Sequence, residues 1–95
     1  MLPLRLAGEI LREDFMQPLG LSANALAKAL HVPANRVTAM LKGTRSITAD
    51  TALRLARYFN TTPQSWLNLQ KNYELEVAKR TVGRAVEAEV SPRAA

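Results

Sequence analysis

The stretch Ser22 to Gly43, SANALAKALHVPANRVTAMLKG, constrains the fold of this chain more than any other. It predicts two short helices joined by a tight turn. The first runs from about Ala23 to Leu30 with Ser22 as N-cap, where its side-chain oxygen accepts a backbone N–H that a first turn leaves unpaired. Ala23, Leu26, Ala27 and Leu30 recur at helical spacing and form one apolar face, and the small Ala27 lets a second helix cross closely. His31-Val32-Pro33 breaks the run, because Pro33 disfavours the helical region for Val32 and suits the first turn of a new helix. The second helix runs from about Pro33 to Leu41 and stops at Gly43, a residue suited to a left-handed C-cap.

The side chains of this second helix sort by angle. At about 100° per residue, Val37, Met40 and Leu41 fall on one side. Asn35, Thr38, Ala39 and Lys42 fall opposite, with Arg36 at the edge. That outer face carries an amide, a hydroxyl, a methyl group and cations, and no acid. Such groups read base edges: Asn bidentate to adenine, Arg to guanine, a methyl group against thymine. A helix-turn-helix places such a helix in the major groove with its N-terminal residues nearest the bases. The competing reading is a helical hairpin with a solvated polar face.

Charge distribution favours the first reading. The net charge is +5, and between Asp14 and Asp50 there is no acid, while Lys28, Arg36, Lys42 and Arg45 lie there. A basic face gives affinity for a polyanion through counterion release. After Gly43 the short loop Thr44-Arg45-Ser46-Ile47 follows directly on the outward-facing helix, so Thr44, Arg45 and Ser46 would lie beside phosphates, with Ile47 a core plug.

The remaining chain supplies a scaffold. Its 95 residues point to one domain, and 47% hydrophobic residues with five aromatics give a small core of mostly Leu, Ala and Val. Gly8 to Met16 reads as a first helix with Ile10, Leu11 and Phe15 toward the core, ended by Gln17-Pro18-Leu19-Gly20. Leu21 is placed to staple the following helix. Thr48 caps a further helix with Asp50 in its first turn; Ala52, Leu55, Ala56 and Phe59 form its apolar stripe, Arg54 and Arg57 point away, and Asn60 suits its C-cap. Thr61 or Thr62 caps the last clear helix, which starts at Pro63 and reaches Lys79. On it Trp66, Leu69, Tyr73 and Val77 form one stripe, while Leu67, Leu75 and Ala78 lie a third of a turn or more away. This second apolar set needs a cover: a two-fold dimer supplies it economically, and the alternative is that the residues after Lys79 fold back over it. Residues 1–7 are expected to be an arm, 8–79 the helix-turn-helix domain, and 80–95 an extension, partly helical with a possible interruption at Gly83, or frayed.

Several classes are excluded by inventory. There is no cysteine and only one histidine, His31, so no cofactor or metal site is expected. Glu13 and Asp14 are neighbours on a helix, diverge by about 100°, and do not make a catalytic pair. No Gly-rich phosphate loop is present, and an enzyme is not expected. No apolar run approaches the roughly 18 residues of a membrane span. MLPLRLAGEIL is too short and too soon charged for a secretory signal, so a cytoplasmic protein without membrane partners is the expectation.

The run GEILREDF, PLGLSANALAKAL, ITADTALRLARYF, WLNLQ and YELEVA resembles the HigA-type antitoxins, a branch of the phage-repressor-like (XRE) helix-turn-helix proteins, over about Gly8 to Ala78. Its most specific parts are Ile47 to Ala56 and Trp66 to Gln70. The resemblance implies an all-α, five-helix, lambda-repressor-like bundle that dimerises through its C-terminal part. It implies binding to a palindromic operator of its own operon, autorepression, and neutralisation of a HigB-type toxin, a ribosome-dependent mRNA endonuclease. By position, Ala34, Asn35, Arg36, Thr38 and Ala39 match the family's base-facing stretch, and Ser22, Lys28, Lys42, Thr44 and Arg45 its phosphate-contacting surroundings. His31 and Asn60 stand where glycine is usual, and a left-handed backbone at His31 implies a small stability cost. The alternatives are a stand-alone phage- or plasmid-type repressor without a toxin, and an interaction module for an acidic partner.

Overall fold

The computed structural model describes residues 5–94, which form five helices and no strand. The expected arm is therefore described only from Arg5. α1 is one continuous run of three parts, Ala7–Ile10, Leu11–Met16 and Gln17–Leu19. Its middle part is wound more widely, and the Gln17 N–H donates to the Arg12 carbonyl five residues back. The helix thus passes Met16, where it was expected to end, and stops at Gly20 with φ 65°. The wide turn precedes Pro18, which has no N–H to give and whose ring crowds the carbonyl four residues before it. One consequence is that Met16, absent from the predicted core face, is buried five residues after Leu11.

α2 (Ala23–Leu30) begins where expected: Ser22 Oγ accepts the Ala25 N–H at 3.1 Å. It ends at His31 with φ 58°, and the Val32 N–H donates back to the Ala27 carbonyl at 3.0 Å. α3 (Ala34–Lys42) starts one residue later than the sequence predicts, because Pro33 keeps an extended ψ of 146° and occupies the cap position. Gly43 closes it at φ 79°. α4 (Ala49–Phe59) is capped by Thr48 and ends at Asn60, φ 56°. α5 (Pro63–Glu89) is capped by Thr62, whose Oγ1 accepts the Ser65 N–H at 3.2 Å. It continues unbroken through Gly83, so the boundary expected between residues 79 and 80 falls inside one helix.

The core lies between α1, α2, α3, α4 and the start of α5. Leu11, Leu26, Val37, Leu55 and Trp66 are fully buried, and Ile47 plugs the loop before α4. Each such side chain contributes about 1.5–3 kcal/mol of hydrophobic free energy. Phe15 packs its ring 4.8 Å from Trp66 and 5.1 Å from Phe59, which ties the end of α1 to the α4–α5 corner. The Trp66 indole N–H donates to Thr61 Oγ1 at 2.7 Å, so the one buried indole donor is satisfied. α1 crosses the end of α3 at Gly8, where an added Cβ would stand 2.2 Å from the Met40 carbonyl oxygen. Only glycine permits that approach, and it fixes how α3 lies on the scaffold.

Candidate nucleic-acid interface

α3 is seated by its inner side chains. Val37 (0%), Met40 (2%) and Leu41 (8%) are buried, so the opposite face is forced outward. Ala34, Asn35 and Lys42 are exposed, and Arg36, Thr38 and Ala39 are half-buried at its flanks. The Thr38 hydroxyl donates to the Asn35 carbonyl at 3.2 Å, which spends its proton on the helix and leaves the oxygen as an acceptor. Asn35 is exposed and makes no side-chain hydrogen bond among the described residues, so its whole amide is open.

The residues expected to contact phosphates are at the surface. Ser22, Lys28, Thr44, Arg45 and Ser46 are exposed at the start of α2, along α2 and after α3. Ser22 Oγ already accepts the capping bond, so its hydroxyl proton remains available to an anion. Thr44 behaves otherwise: its hydroxyl and its N–H both donate to the Ala39 carbonyl, at 3.2 and 3.0 Å, and close the end of α3. Gln70 braces this loop from α5. Its Oε1 accepts the Ile47 N–H, and its Nε2 donates to the Ile47 carbonyl at 3.3 Å. Nothing in the spacing of Gln70 predicts that role, because the partner is backbone 23 residues away.

Two cationic side chains are placed differently from expectation. Arg36 is not loose at the edge of the face: its Nη1 lies 2.9 Å from Asp50 Oδ2. Arg54, expected to point into solvent, is half-buried; its Nε donates to the same oxygen at 2.9 Å and its Nη1 to the Leu30 carbonyl at 2.9 Å. The acid-free segment of the sequence therefore meets an acid in space. Asp50 is held below the usual carboxylate range, first by its hydrogen bond from Arg54 and further by Arg36. Glu13 and Asp14 are exposed and pair with Arg5 at 3.0 and 3.1 Å.

The two apolar sets of α5 also separate. Trp66 is buried, and Leu69, Tyr73 and Val77 are partly buried on the inner side. Leu67 packs against its own core, whereas Leu75 is 55% exposed and Ala78 is exposed. Val82 and Val86, each half exposed, extend the Leu75 side at spacings of seven and four residues. A groove of ≈ 540 Å³ between α2 and α4 is bordered by His31, Asp50, Arg54, Arg57 and Tyr58. Among the described residues no helix is long and apolar enough to cross a membrane, and no cluster of three His, Cys, Asp or Glu could hold a metal.

The helix-turn-helix family profile matches residues 13–66, which contain α2, the turn at His31, α3 and α4. A solved structure from Coxiella burnetii, described as an addiction module antidote protein of a HigA family, is 52% identical and superposes with a TM-score of 0.90 over 97% of this chain and 100% of that one. This chain is a helix-turn-helix protein of the HigA antitoxin family. The HigA fold is equally close in Pseudomonas aeruginosa antitoxin HigA, solved with the higBA promoter: 41% identity, TM-score 0.91, 97% of this chain and 100% of that one. The virulence-associated protein I of Dichelobacter nodosus is 58% identical over 73 residues, 77% of this chain and 68% of that protein. HTH-type transcriptional regulators of Escherichia coli and Haemophilus influenzae are matched over 60% and 64% of their own length. The five-helix, all-α architecture expected from the HigA resemblance is the one observed.

Proposed function

We propose that this chain is the antitoxin of a type II toxin–antitoxin pair, acting in the cytoplasm without cofactor or catalysis. As a two-fold dimer it binds a palindromic operator before its own operon and represses it, and it neutralises a HigB-type mRNA endonuclease by complex formation. One observation carries the DNA half: α3 buries Val37, Met40 and Leu41 and thereby turns Asn35, with Arg36 and Thr38 at its flanks, away from the scaffold. Asn35, Arg36 and Thr38 read base edges, Ala34 and Ala39 offer methyl groups, and Ser22, Lys28, Lys42, Thr44 and Arg45 hold phosphates. Leu75 and Ala78 face the second copy, with Leu67 at the inner margin of that contact. Two copies present their reading helices to half-sites one helical turn apart, about 34–36 Å. The Pseudomonas aeruginosa antitoxin HigA solved with the higBA promoter, and a 42% identical protein of the same organism solved with its operator DNA, support this reading.

Binding of a fluorescent duplex carrying the palindrome upstream of the gene tests it. Affinity in the nanomolar range, falling steeply with salt, is expected. Arg36→Ala or Asn35→Ala should each cost about 1–3 kcal/mol on that operator and relax base preference. Equal affinity for palindrome and scrambled duplex overturns the operator reading. Co-expression with the adjacent gene tests the toxin half: a small protein that co-purifies and arrests growth alone is expected. With no such neighbour the chain is a stand-alone repressor.

A further inference from the structure

The surface beside the reading helix contains a carboxylate that general affinity for DNA would not call for. Asp50 sits in the first turn of α4, and one of its oxygens, Oδ2, accepts from Arg36 Nη1 and from Arg54 Nε, each at 2.9 Å. Arg54 reaches on to the Leu30 carbonyl at the end of α2 at 2.9 Å. One carboxylate thus joins the end of α2, the start of α3 and the start of α4. An acid at this place repels phosphates and offsets one of the cations that could attract them.

Its use lies in what it does to Arg36. A guanidinium is a planar fork of five donors on a long, flexible stem. Left free at the edge of α3, it would sweep over phosphates and bases alike. Held through Nη1, it keeps Nη2 and Nε unengaged among the described residues. Those two donors form one of the two guanidinium edges able to pair with O6 and N7 of guanine, and the one that the contact through Nη1 leaves open. Ordering the stem before DNA arrives removes that entropic cost from binding, and only a base in the matching place benefits.

We infer that Asp50 is a positioning and specificity-determining residue for operator reading: it fixes the free edge of Arg36 toward the bases and withholds that charge from phosphates. The inference rests on the proposed reading that α3 faces operator DNA. Asp50 acts through Arg36 and touches no base itself. Its removal therefore has two opposite effects, tighter binding to arbitrary DNA and weaker binding to the operator.

The full-length protein, Asp50→Asn, Arg36→Ala and the double variant are titrated with operator and with scrambled duplex of equal length, across a salt series, with melting temperatures in parallel. D50N should tighten scrambled DNA about twofold and raise the salt slope by roughly one unit, as one more cation reaches phosphate. The ratio of operator to scrambled affinity should fall about tenfold, the worth of one well-placed bidentate contact. In the R36A background D50N should leave the ratio unchanged. The Asp50 side chain is 56% exposed, so the fold should survive; Asp50→Ser should give the same loss of ratio if the Asn variant melts early. A purely structural role would weaken both duplexes alike, and a purely electrostatic one would strengthen both alike; either result, or a ratio change that persists in R36A, overturns the inference. If R36A loses discrimination and D50N does not, the Asp50 role alone fails. If R36A discriminates as well as the parent, Arg36 reads no base and the Asp50 role fails with it, while the operator reading stands; if the parent itself does not discriminate, the operator reading fails.

Discussion

The two ends of this molecule are built on opposite terms. From Ala7 to Trp66 every helix buries an apolar face, and the core side chains there are 0–8% exposed. From Leu75 to Val90 the helix buries no large side chain, and Leu75, Val82, Val86 and Val90 are 50–64% exposed. The extent of 52 × 27 × 21 Å reflects that projection. The first region holds its shape from within. A helix with half its apolar surface in water gains little from its own chain, because tertiary burial supplies most helix stability in proteins. The contrast teaches a division of labour: the compact part fixes the angle of α3, and the projecting part leaves open the apolar side on which the proposed dimer contact falls.

Core truncation should expose this contrast most strongly. Leu26→Ala is expected to destabilise the protein by about 2–5 kcal/mol in urea unfolding, whereas Val82→Ala at low protein concentration should stay within about 0.5 kcal/mol of the parent. Comparable losses at the two sites would show that the distal helix is part of the core after all. Next in size is Leu75→Glu. It should yield monomers by light scattering and lower operator affinity roughly a hundredfold, the avidity lost when two half-sites are no longer bound together. A dimer that survives this charge places the contact elsewhere.

Arg45→Ala sharpens the comparison on the DNA side. It should weaken operator and scrambled duplex about equally and reduce the salt slope by roughly 0.9, because one phosphate contact is lost. Selective loss on the operator would move Arg45 into the reading set. The smallest effect is expected at the turn. His31 holds φ 58°, so His31→Gly should raise stability by about 0.5–1 kcal/mol, the relief from a left-handed backbone less the added freedom of the unfolded chain. A drop would mean that the imidazole itself is used. Asp50 adds a pH signature to the compact region. Its folded pKa is depressed, so its ion pairs are intact at neutral pH and are lost only as pH falls below the ordinary carboxylate range. A carboxyl carbon titration in the acid range checks the direction.

Legibility in the sequence follows the range of the interaction. Ser22, Thr48, Gly43 and Asn60 act within three or four residues of themselves, so the ends of α2, α3 and α4 could be placed to within a residue. Val37, Met40 and Leu41 were sorted inward by angle alone. Contacts across space were not legible. Arg36 meets Asp50 fourteen residues on, and Gln70 meets Ile47 backbone 23 residues back. No periodicity carries such pairs, and the absence of acids between Asp14 and Asp50 concealed the acid that folds back against α3. The length of α5 was hidden by Gly83. Glycine costs a helix about 1 kcal/mol relative to alanine, a penalty that the surrounding Ala, Val, Arg and Glu residues absorb here.

The wide turn in α1 also sets what kinds of sequence change this helix tolerates. Leu11 and Met16 are both buried although Met16 comes five positions after Leu11, one more than the step of four that an ordinary turn would use. Deleting a single residue from the exposed stretch between them would tighten the winding and still leave both anchors facing inward. Elsewhere in the bundle the same deletion would rotate everything beyond it out of register. Length variation among relatives should therefore be easier to accept at this point than in α2, α3 or α4.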